Sequence, residues 1–497
     1  MIKKYSMLVA MAIVAMSTHA QNQTDALRYS QTILGGTARY VSMGGAFGAL
    51  GADASTLSFN PAGIALYRKS ELTFTPIVYN GKTRSDFGNN VNIDNKLNLH
   101  FGNAAFIIHI PKDYMGWKGV TLGVAYNRQN NFYNRSYIEG EGDGISLLNQ
   151  FSNEAKGVNP NSLDPFGADL AYQTYLIDTI PGAFNEYFAN TNLSKLTQTK
   201  SIENSGYMSE TALSFGANYN NKLYIGATLG FNKLKYEETS RYQENDNDTA
   251  KTKPNQPIKY GMDLNKFVLN EQFNTTGKGI NFKVGAVYSI FDWLRVGAGI
   301  HTPVYFYNMN DIYSDSITAF YSYFETPSST LKNGSIKTYS SPEGYFDYSF
   351  TSPFRYNFSI GIIVNKSGLI SADFEHVNYN QAKLNAKNDD FRAANNSIKS
   401  NYNSADNLRI GTEWRIEPFS IRGGFAYYAS PYNNKINDGR RLCYSLGLGY
   451  KMKIFYMDVA YQIVQSKEKY YLFDSAMQAS INSLTRNSFL TTVGFKF

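Results

Sequence analysis

The residues of this chain that could carry catalysis or hold a metal are few and poorly spaced for either. Five histidines, His19, His100, His109, His301 and His376, are scattered. They form no H-x-x-E-H, C-x-x-C or C-x-x-C-H arrangement for zinc or covalent haem. A lone cysteine, Cys443, excludes an internal disulfide framework. No G-x-S-x-G elbow marks a serine hydrolase. In Gly45-x-x-Gly48-x-x-Gly51, Phe47 stands where the dinucleotide fingerprint needs its middle glycine, and no βαβ pattern follows. The acidic runs at 139–144 and 244–249 could bind calcium, but the first has Gln150 where an EF-hand closes on glutamate. Solvated loop tips are the simpler reading. The expectation is no enzyme, no metal and no cofactor. A net charge of +7 over 497 residues makes no case for nucleic acid either.

What remains is electrostatic. Lys283, Arg295, Arg409, Arg415 and Arg422 alternate with apolar residues, and Asp373, Glu375 and Glu413 share their face. These charges could meet a ligand carboxylate, or pair with one another as a structural ladder; both readings stay open. Period-2 alternation makes the elements that position them strands. In 280–290, Ile280, Phe282, Val284, Ala286, Tyr288 and Ile290 face one way, opposite Asn281, Lys283, Gly285 and Ser289. In 407–416, Leu408, Ile410, Thr412, Trp414 and Ile416 alternate with Arg409, Gly411, Glu413 and Arg415.

Such apolar-out, polar-in strands suit a barrel in lipid, where outward charge costs about 2–4 kcal/mol at mid-membrane. Composition agrees: 39 Tyr, 33 Phe and 40 Gly against 14 Pro, with a mean hydropathy of -0.36 and no apolar run long enough for a membrane helix. Fourteen candidate strands lie near 70–81, 96–110, 117–138, 207–220, 222–243, 275–290, 293–309, 345–365, 368–382, 403–416, 419–430, 439–452, 454–470 and 485–497. Tight turns such as 220–222, 291–293, 365–368 and 417–418 alternate with long polar connections at 139–206, 244–274 and 310–344. Trp117, Trp293 and Trp414 all fall beside tight turns, as an interfacial aromatic girdle would. In the longest connection, 145–157 and 181–190 bring apolar residues such as Phe184, Tyr187 and Phe188 together at helical spacing. They read as either a landing site for a greasy ligand or a self-packed cap.

The chain ends complete this picture. Lys3 and Lys4, an apolar run from Met7 to Met16 and Thr18-His19-Ala20 read as a secretory signal peptide over 1–20. The last strand closes on Phe497, and such a terminal aromatic resembles the signature of outer-membrane β-barrels, which implies reading by their assembly machinery. Between them, 44–66 is dense in glycine and alanine. Its small residues suit a backbone in a tight space. Inward positions of the strands repeatedly carry glycine: Gly123, Gly216, Gly226, Gly230, Gly285, Gly297, Gly299, Gly361, Gly411, Gly424, Gly447, Gly449 and Gly494. Either something packs against the inner wall, or the glycines relieve curvature.

The stretch "ADASTLSFNPAGIA" (52–65), with Asn60-Pro61-Ala62, resembles the hatch motif of the outer-membrane long-chain fatty-acid transporter family (FadL type), which includes aromatic-hydrocarbon uptake channels. The segments at 277–304, 352–379 and 407–432 are similar to that family's glycine-bearing strand, short turn and return strand. The resemblance implies an all-β fold: a 14-stranded antiparallel transmembrane β-barrel whose lumen is plugged by an N-terminal hatch. Hatch residues would be 21–69 and the barrel 70–497, with the long connections extracellular. The implied function is passive uptake of hydrophobic compounds, most simply long-chain fatty acids, with hatch-gated lateral release into the outer-membrane lipid. Asn60, Pro61, Ala62, Gly44, Gly45 and Phe47 become the gating candidates. A kink in the third strand would form the exit, and 127–131 is its candidate position. A non-transporting surface barrel acting through its loops is the alternative; a lipid hydrolase lacks its catalytic residues.

Overall fold

The computed structural model describes residues 23–497 except 34, 143, 190–195, 248–261, 327–328, 332–334, 366, 388–389 and 434–436. The expected signal peptide lies outside the described residues. Fourteen strands form the wall: β1 (Glu71–Phe87), β2 (Asn90–Tyr114), β3 (Trp117–Asn131, continued by Asn134–Glu141), β4 (Leu196–Tyr219), β5 (Leu223–Asp246), β6 (Met262–Phe291) and β7 (Leu294–His301, continued by Tyr305–Thr326) come first. β8 (Gly344–Thr351, continued by Arg355–Val364), β9 (Gly368–Asn378, continued by Lys383–Asn385), β10 (Ser404–Ile416), β11 (Phe419–Tyr428), β12 (Arg441–Lys451), β13 (Phe455–Tyr471) and β14 (Ala479–Lys496) follow. Each pairs antiparallel with its neighbours in sequence, and β14 closes on β1 from Glu71↔Lys496 to Asp86↔Ile481. This is a closed 14-stranded antiparallel β-barrel.

Six connections of two or three residues, 115–116, 220–222, 292–293, 365–367, 417–418 and 452–454, lie at one end. Here, at the near end, the barrel also begins and finishes: Ser70 and Phe497 exchange both backbone hydrogen bonds, each 3.1 Å. Trp117, Trp293 and Trp414 are exposed at this level, with Phe291 stacked on Trp293 at 5.5 Å. In the belt above, outward Phe282, Val284, Leu408 and Ile410 are exposed, while inward Asn281, Lys283, Asn407 and Arg409 are buried.

At the far end the strands outrun their sequence-based limits, so much of 139–206, 244–274 and 310–344 is strand. β4 starts at Leu196, β6 at Met262, and β7 runs to Thr326 with Ser335–Ser340 paired back onto it. The reason is that the polarity of the two faces inverts there. Ile317, Ala319 and Tyr321 point inward, buried under a cap, while the alternate residues Ser316, Thr318 and Phe320 are only half-buried. A pattern that changes sign along a strand reads as loop. The β1–β2 connection is also short, only Gly88-Asn89.

The cap is built from 142–189. Helix α3 (Leu147–Ala155) buries Leu147, Leu148, Phe151 and Ala155 in one cluster with Tyr242, Phe267 and Ile317 of the wall. Its N-terminus is held by buried Glu244, which accepts from the Leu147 amide at 2.8 Å and from Gln198 at 3.3 Å. The stretch 181–190 is not helical where described. Pro181-Gly182 turns the chain, and Tyr187–Ala189 pairs with Ile177–Thr179 as a two-stranded ribbon. Tyr187 is buried and Phe184 exposed, so most of the apolar residues are cap core.

The N-terminal segment fills the lumen from the far end to the near end. Helix α1 (Gln23–Ser30) is held near the far end, where the Tyr402 hydroxyl donates to the Gln23 carbonyl at 2.9 Å. Helix α2 (Ala38–Ser42) and the 3₁₀ turns Ala54–Ser58 and Pro61–Leu66 descend to β1. This plug explains most inward glycines. A methyl at Gly123, Gly216, Gly226, Gly285, Gly297, Gly361, Gly411, Gly424 or Gly447 would run into plug atoms. At Gly230, Gly299, Gly449 and Gly494 it would instead meet side chains of neighbouring strands. Close approach accounts for both groups.

Gly423 and Gly424 provide a matched test on β11. A methyl at Gly424 overlaps the backbone of Met43 and Gly44, whereas at Gly423 it meets only Leu446 Cδ2 at 3.8 Å. Gly424→Ala should destabilise plug seating by about 1–3 kcal/mol, the usual cost of overpacking, and open the plug to trypsin in the folded barrel. Gly423→Ala should leave both heat-modifiability and proteolysis unchanged.

Candidate functional site

Among the described residues, an outer and an inner cavity lie along the lumen. The outer one, about 520 Å³, sits between the cap, α1 and the β13–β14 connection. The inner one, about 100 Å³, is enclosed by Tyr29, Phe59, Tyr428 and the cations Arg128, Lys283, Arg355 and Arg409. A side chamber of about 40 Å³ lies against Ile77, Tyr79, Val464 and Leu490. Ile33, Gly35, Arg128 and Gln129 line both the inner cavity and this chamber, and are therefore the partition between them.

That partition coincides with a break in the wall. β2 pairs with β3 from Tyr114↔Trp117 only as far as Asn103↔Asn127; among the described residues, no ladder joins β2 above Asn103 to β3. Two changes redirect β3 here. Its register to β4 shifts between Arg128 and Asn130, leaving Gln129 as a bulge, and the strand is interrupted at 132–133. Its continuation then passes inside the barrel, where Thr83 of β1 donates to Asn134 at 2.9 Å and Asn92 of β2 to the Glu139 carbonyl at 3.3 Å. The polar run expected to hold a kink is where pairing stops. The plug stands in the gap: the Ile33 amide donates to the Gln129 carbonyl at 2.8 Å, and the Asn130 side chain to the Gln31 carbonyl at 3.0 Å. Gly35 is pressed on the Arg128 carbonyl, with no room for a side chain.

The plug's own residues hold it together and to the wall. Asn60 is fully buried; its amide donates to the Gly48 carbonyl at 2.6 Å, and its oxygen caps Pro61–Leu66 through the Ala62 amide at 3.2 Å. The Asn60 side chain lies against Gly285, and Pro61 and Ala62 against Gly226. Gly44 and Gly45 take φ of 62° and 75°, the left-handed region that frees glycine here to turn beside β11. Phe47 is buried beneath the Arg39 guanidinium, 5.1 Å away, and the Phe47 and Gly48 amides donate to Asp373 at 2.9 and 3.0 Å.

The five inward cations fall at different heights. Lys283 and Arg409 line the inner cavity. Lys283 is ion-paired with buried Glu210. Arg409 bridges to Glu375 at 3.0 Å and stacks over Phe59 at 4.5 Å. Arg415 and Arg422 lie lower, sharing Glu413 at 2.9 and 2.7 Å, and Arg422 also reaches Asp458 at 2.6 Å. Arg295 lies near Tyr224 and Arg68, away from the cavity. Period 2 reveals the face a residue is on, not its height relative to a plug. Four of the five thus form ion pairs, as the ladder reading expects, while Arg409 Nε and Nη1 and Arg128 Nε are buried without a hydrogen-bond partner.

Sequence reasoning missed Arg39, whose Nε lies 2.8 Å from Glu413 and anchors the plug to β10. It also missed Arg355, Glu210 and Ile33, and named Gln129 only as part of the 127–131 run. Glu210 and Arg355 sit on strands whose alternation marks them as inward. Ile33 lies on irregular backbone, and Arg39 on a helix of five residues, too short to show a period.

The fold matches solved channel structures along nearly its whole length. A Pseudomonas aeruginosa FadL homologue aligns with TM-score 0.54 at 14% identity, covering 94% of this chain and 100% of that one. The CymD monoaromatic hydrocarbon channel aligns at 0.50 and 12% identity, over 94% and 99%. The Pseudomonas putida toluene transporter TodX aligns at 0.50 and 10%, over 93% and 99%. At these identities the likeness is one of fold. No family model matches the sequence, and no curated protein matches it.

Glu413 carries the lower anchor. Replacing it by glutamine leaves Arg39 and Arg422 buried with too little negative charge, and breaking a buried pair this way costs about 3–5 kcal/mol. Arg415 is half exposed, so Arg415→Gln should cost under about 1 kcal/mol. Hydrogen exchange across 37–47 should rise strongly in the first variant and stay near wild type in the second.

Proposed function

We propose that the chain is an outer-membrane channel of the FadL type for passive uptake of hydrophobic compounds, with long-chain fatty acids its simplest ligands. The near end faces the periplasm and the capped end the outside. A cleaved signal peptide exports the chain, and Phe497 presents the last strand to the barrel-assembly machinery.

The observation that carries this reading is the break between β2 and β3 beside a chamber that a single layer of plug and β3 separates from the inner cavity. A ligand enters through the outer cavity, sits with its polar end in the inner one, and leaves sideways when the Ile33–Gln129 contact parts. Lateral exit suits such a ligand, because exposing an alkyl chain to water costs about 0.8 kcal/mol per CH₂. The buried, unpartnered nitrogens of Arg409 and Arg128 favour a carboxylate head over a plain hydrocarbon. In the closed state, about 100 Å³ accommodates a head group and leaves the tail to the outer cavity. Asn60, Pro61, Ala62, Gly44, Gly45 and Phe47 then hold the lower plug in place while the segment around Ile33 moves. The reading needs no cofactor and no energy source.

Uptake of radiolabelled oleate by a strain lacking the protein should return on complementation; failure to restore oleate or toluene uptake would sink the transport reading. The route can be tested separately. A methyl on Gly361 would lie 3.5 Å from Ala49 Cβ, within disulfide reach. The oxidised Ala49→Cys/Gly361→Cys double variant ties the lower plug to β8. Lateral release predicts oleate uptake within about twofold of the reduced form; passage through the floor predicts its loss, recovered by dithiothreitol.

A further inference from the structure

The inner cavity is wired to the partition that closes it. The two oxygens of Glu210 are divided between two elements. Oε1 takes the Lys283 ammonium on β6, and Oε2 accepts from the Gln129 side chain on β3 at 2.7 Å. Glu210 is fully buried and Lys283 almost so. Gln129 is the bulged residue of β3, left out of the β4 ladder, and its carbonyl is the acceptor for the Ile33 amide at 2.8 Å. Lys283 and Gln129 both line the inner cavity. A continuous path of three contacts therefore joins the cavity to the plug: Lys283 to Glu210, Glu210 to Gln129, and Gln129 to Ile33.

We propose that Glu210 is the ligand sensor of this channel: a carboxylate bound in the inner cavity competes for Lys283, frees Glu210, and so releases Gln129 from the position that pins Ile33. The idea rests on the uptake reading and adds how occupancy opens the gate. Its physics is competition in a dry site. Glu210 is the carboxylate paired with Lys283, and a second carboxylate beside it both attracts the ammonium and repels Glu210. Gln129 then loses its charged acceptor, which is the stronger kind of hydrogen bond. A ligand that prefers the released arrangement shifts the population towards it in proportion to that preference. Neutral hydrocarbons have no means of competing for Lys283. Glu210 acts through Gln129 and is a positioning residue.

The test is hydrogen exchange of the peptides spanning 31–36 and 127–133 in the purified full-length barrel, with oleate and with oleyl alcohol, which shares the tail and lacks the carboxylate. Oleate should speed exchange at Ile33 by about tenfold, and oleyl alcohol should leave it unchanged. Gln129→Leu should exchange fast without ligand and respond to neither, and, because oleate prefers the released arrangement, should bind oleate up to about tenfold tighter than wild type. Equal responses to oleate and oleyl alcohol, or a full oleate response in Gln129→Leu, would overturn the relay. Oleate that binds without loosening the seam removes the relay and leaves the uptake reading standing. Oleate that does not bind at all removes both.

Discussion

The structure depends on how closely the plug backbone approaches the inner wall. A lumen walled by fourteen strands is too narrow for a folded segment unless the wall gives up side chains, and it does so where the plug touches. Met43 and Gly44 lie on Gly411 and Gly424, Pro61 and Ala62 on Gly226, and Asn60 on Gly285. Glycine inside a strand is unfavourable by itself, and aligned glycines on several strands make sense only with a partner against them. The barrel and plug are therefore one packing unit, in which the wall's small residues and the plug's small residues occupy the same radius.

Buried charge then orients what glycine admits. Close packing alone would let the plug slide along the barrel axis, since backbone on glycine has little shape to key it. Directional contacts prevent this. Arg39 reaches Glu413, the Phe47 and Gly48 amides reach Asp373, and the Tyr402 hydroxyl reaches Gln23. Buried ion pairs add little net stability but are costly to break singly, which suits parts that must hold one register. The upper plug has its own anchors beside Ile33, where Arg355 donates to the Ser30 carbonyl and Arg441 to the Thr32 carbonyl at 3.1 Å, and two further hydrogen bonds tie the segment to β3.

Much of this was legible in the sequence, for definite reasons. Every strand of the belt was, because lipid outside and polar lumen inside impose period 2 on each. The inward glycines were visible as a pattern, and the plug they imply follows from their number. The far-end strands were not legible, because Ile317, Ala319 and Tyr321 bury their apolar face inward beneath the cap and so invert the expected alternation. Nor was the partition: Gln129 and Ile33 are ordinary residues until a bulge and an irregular plug segment bring them together. Period 2 puts the candidate cations on one face. Which of them border the cavity depends on where the plug leaves space, and no local pattern encodes that.

The break in the wall and the plug that fills it require each other. An open strand edge at membrane depth leaves backbone groups unsatisfied, and lipid offers them no partner. β3 leaves β2 above Asn127, so its backbone there needs another source of hydrogen bonds. The plug supplies it through the Ile33 amide, and the Asn130 side chain returns one to the Gln31 carbonyl. A barrel without the plug would have reason to straighten β3 and zip it to β2; a plug without the break would have nothing to close. The gap can persist in a membrane because it is occupied. Two hydrogen bonds tie the plug to β3 there, while Arg355 and Arg441 hold the neighbouring Ser30 and Thr32 carbonyls from the wall. The seam between Ile33 and Gln129 is thus where barrel and plug depend on each other most directly.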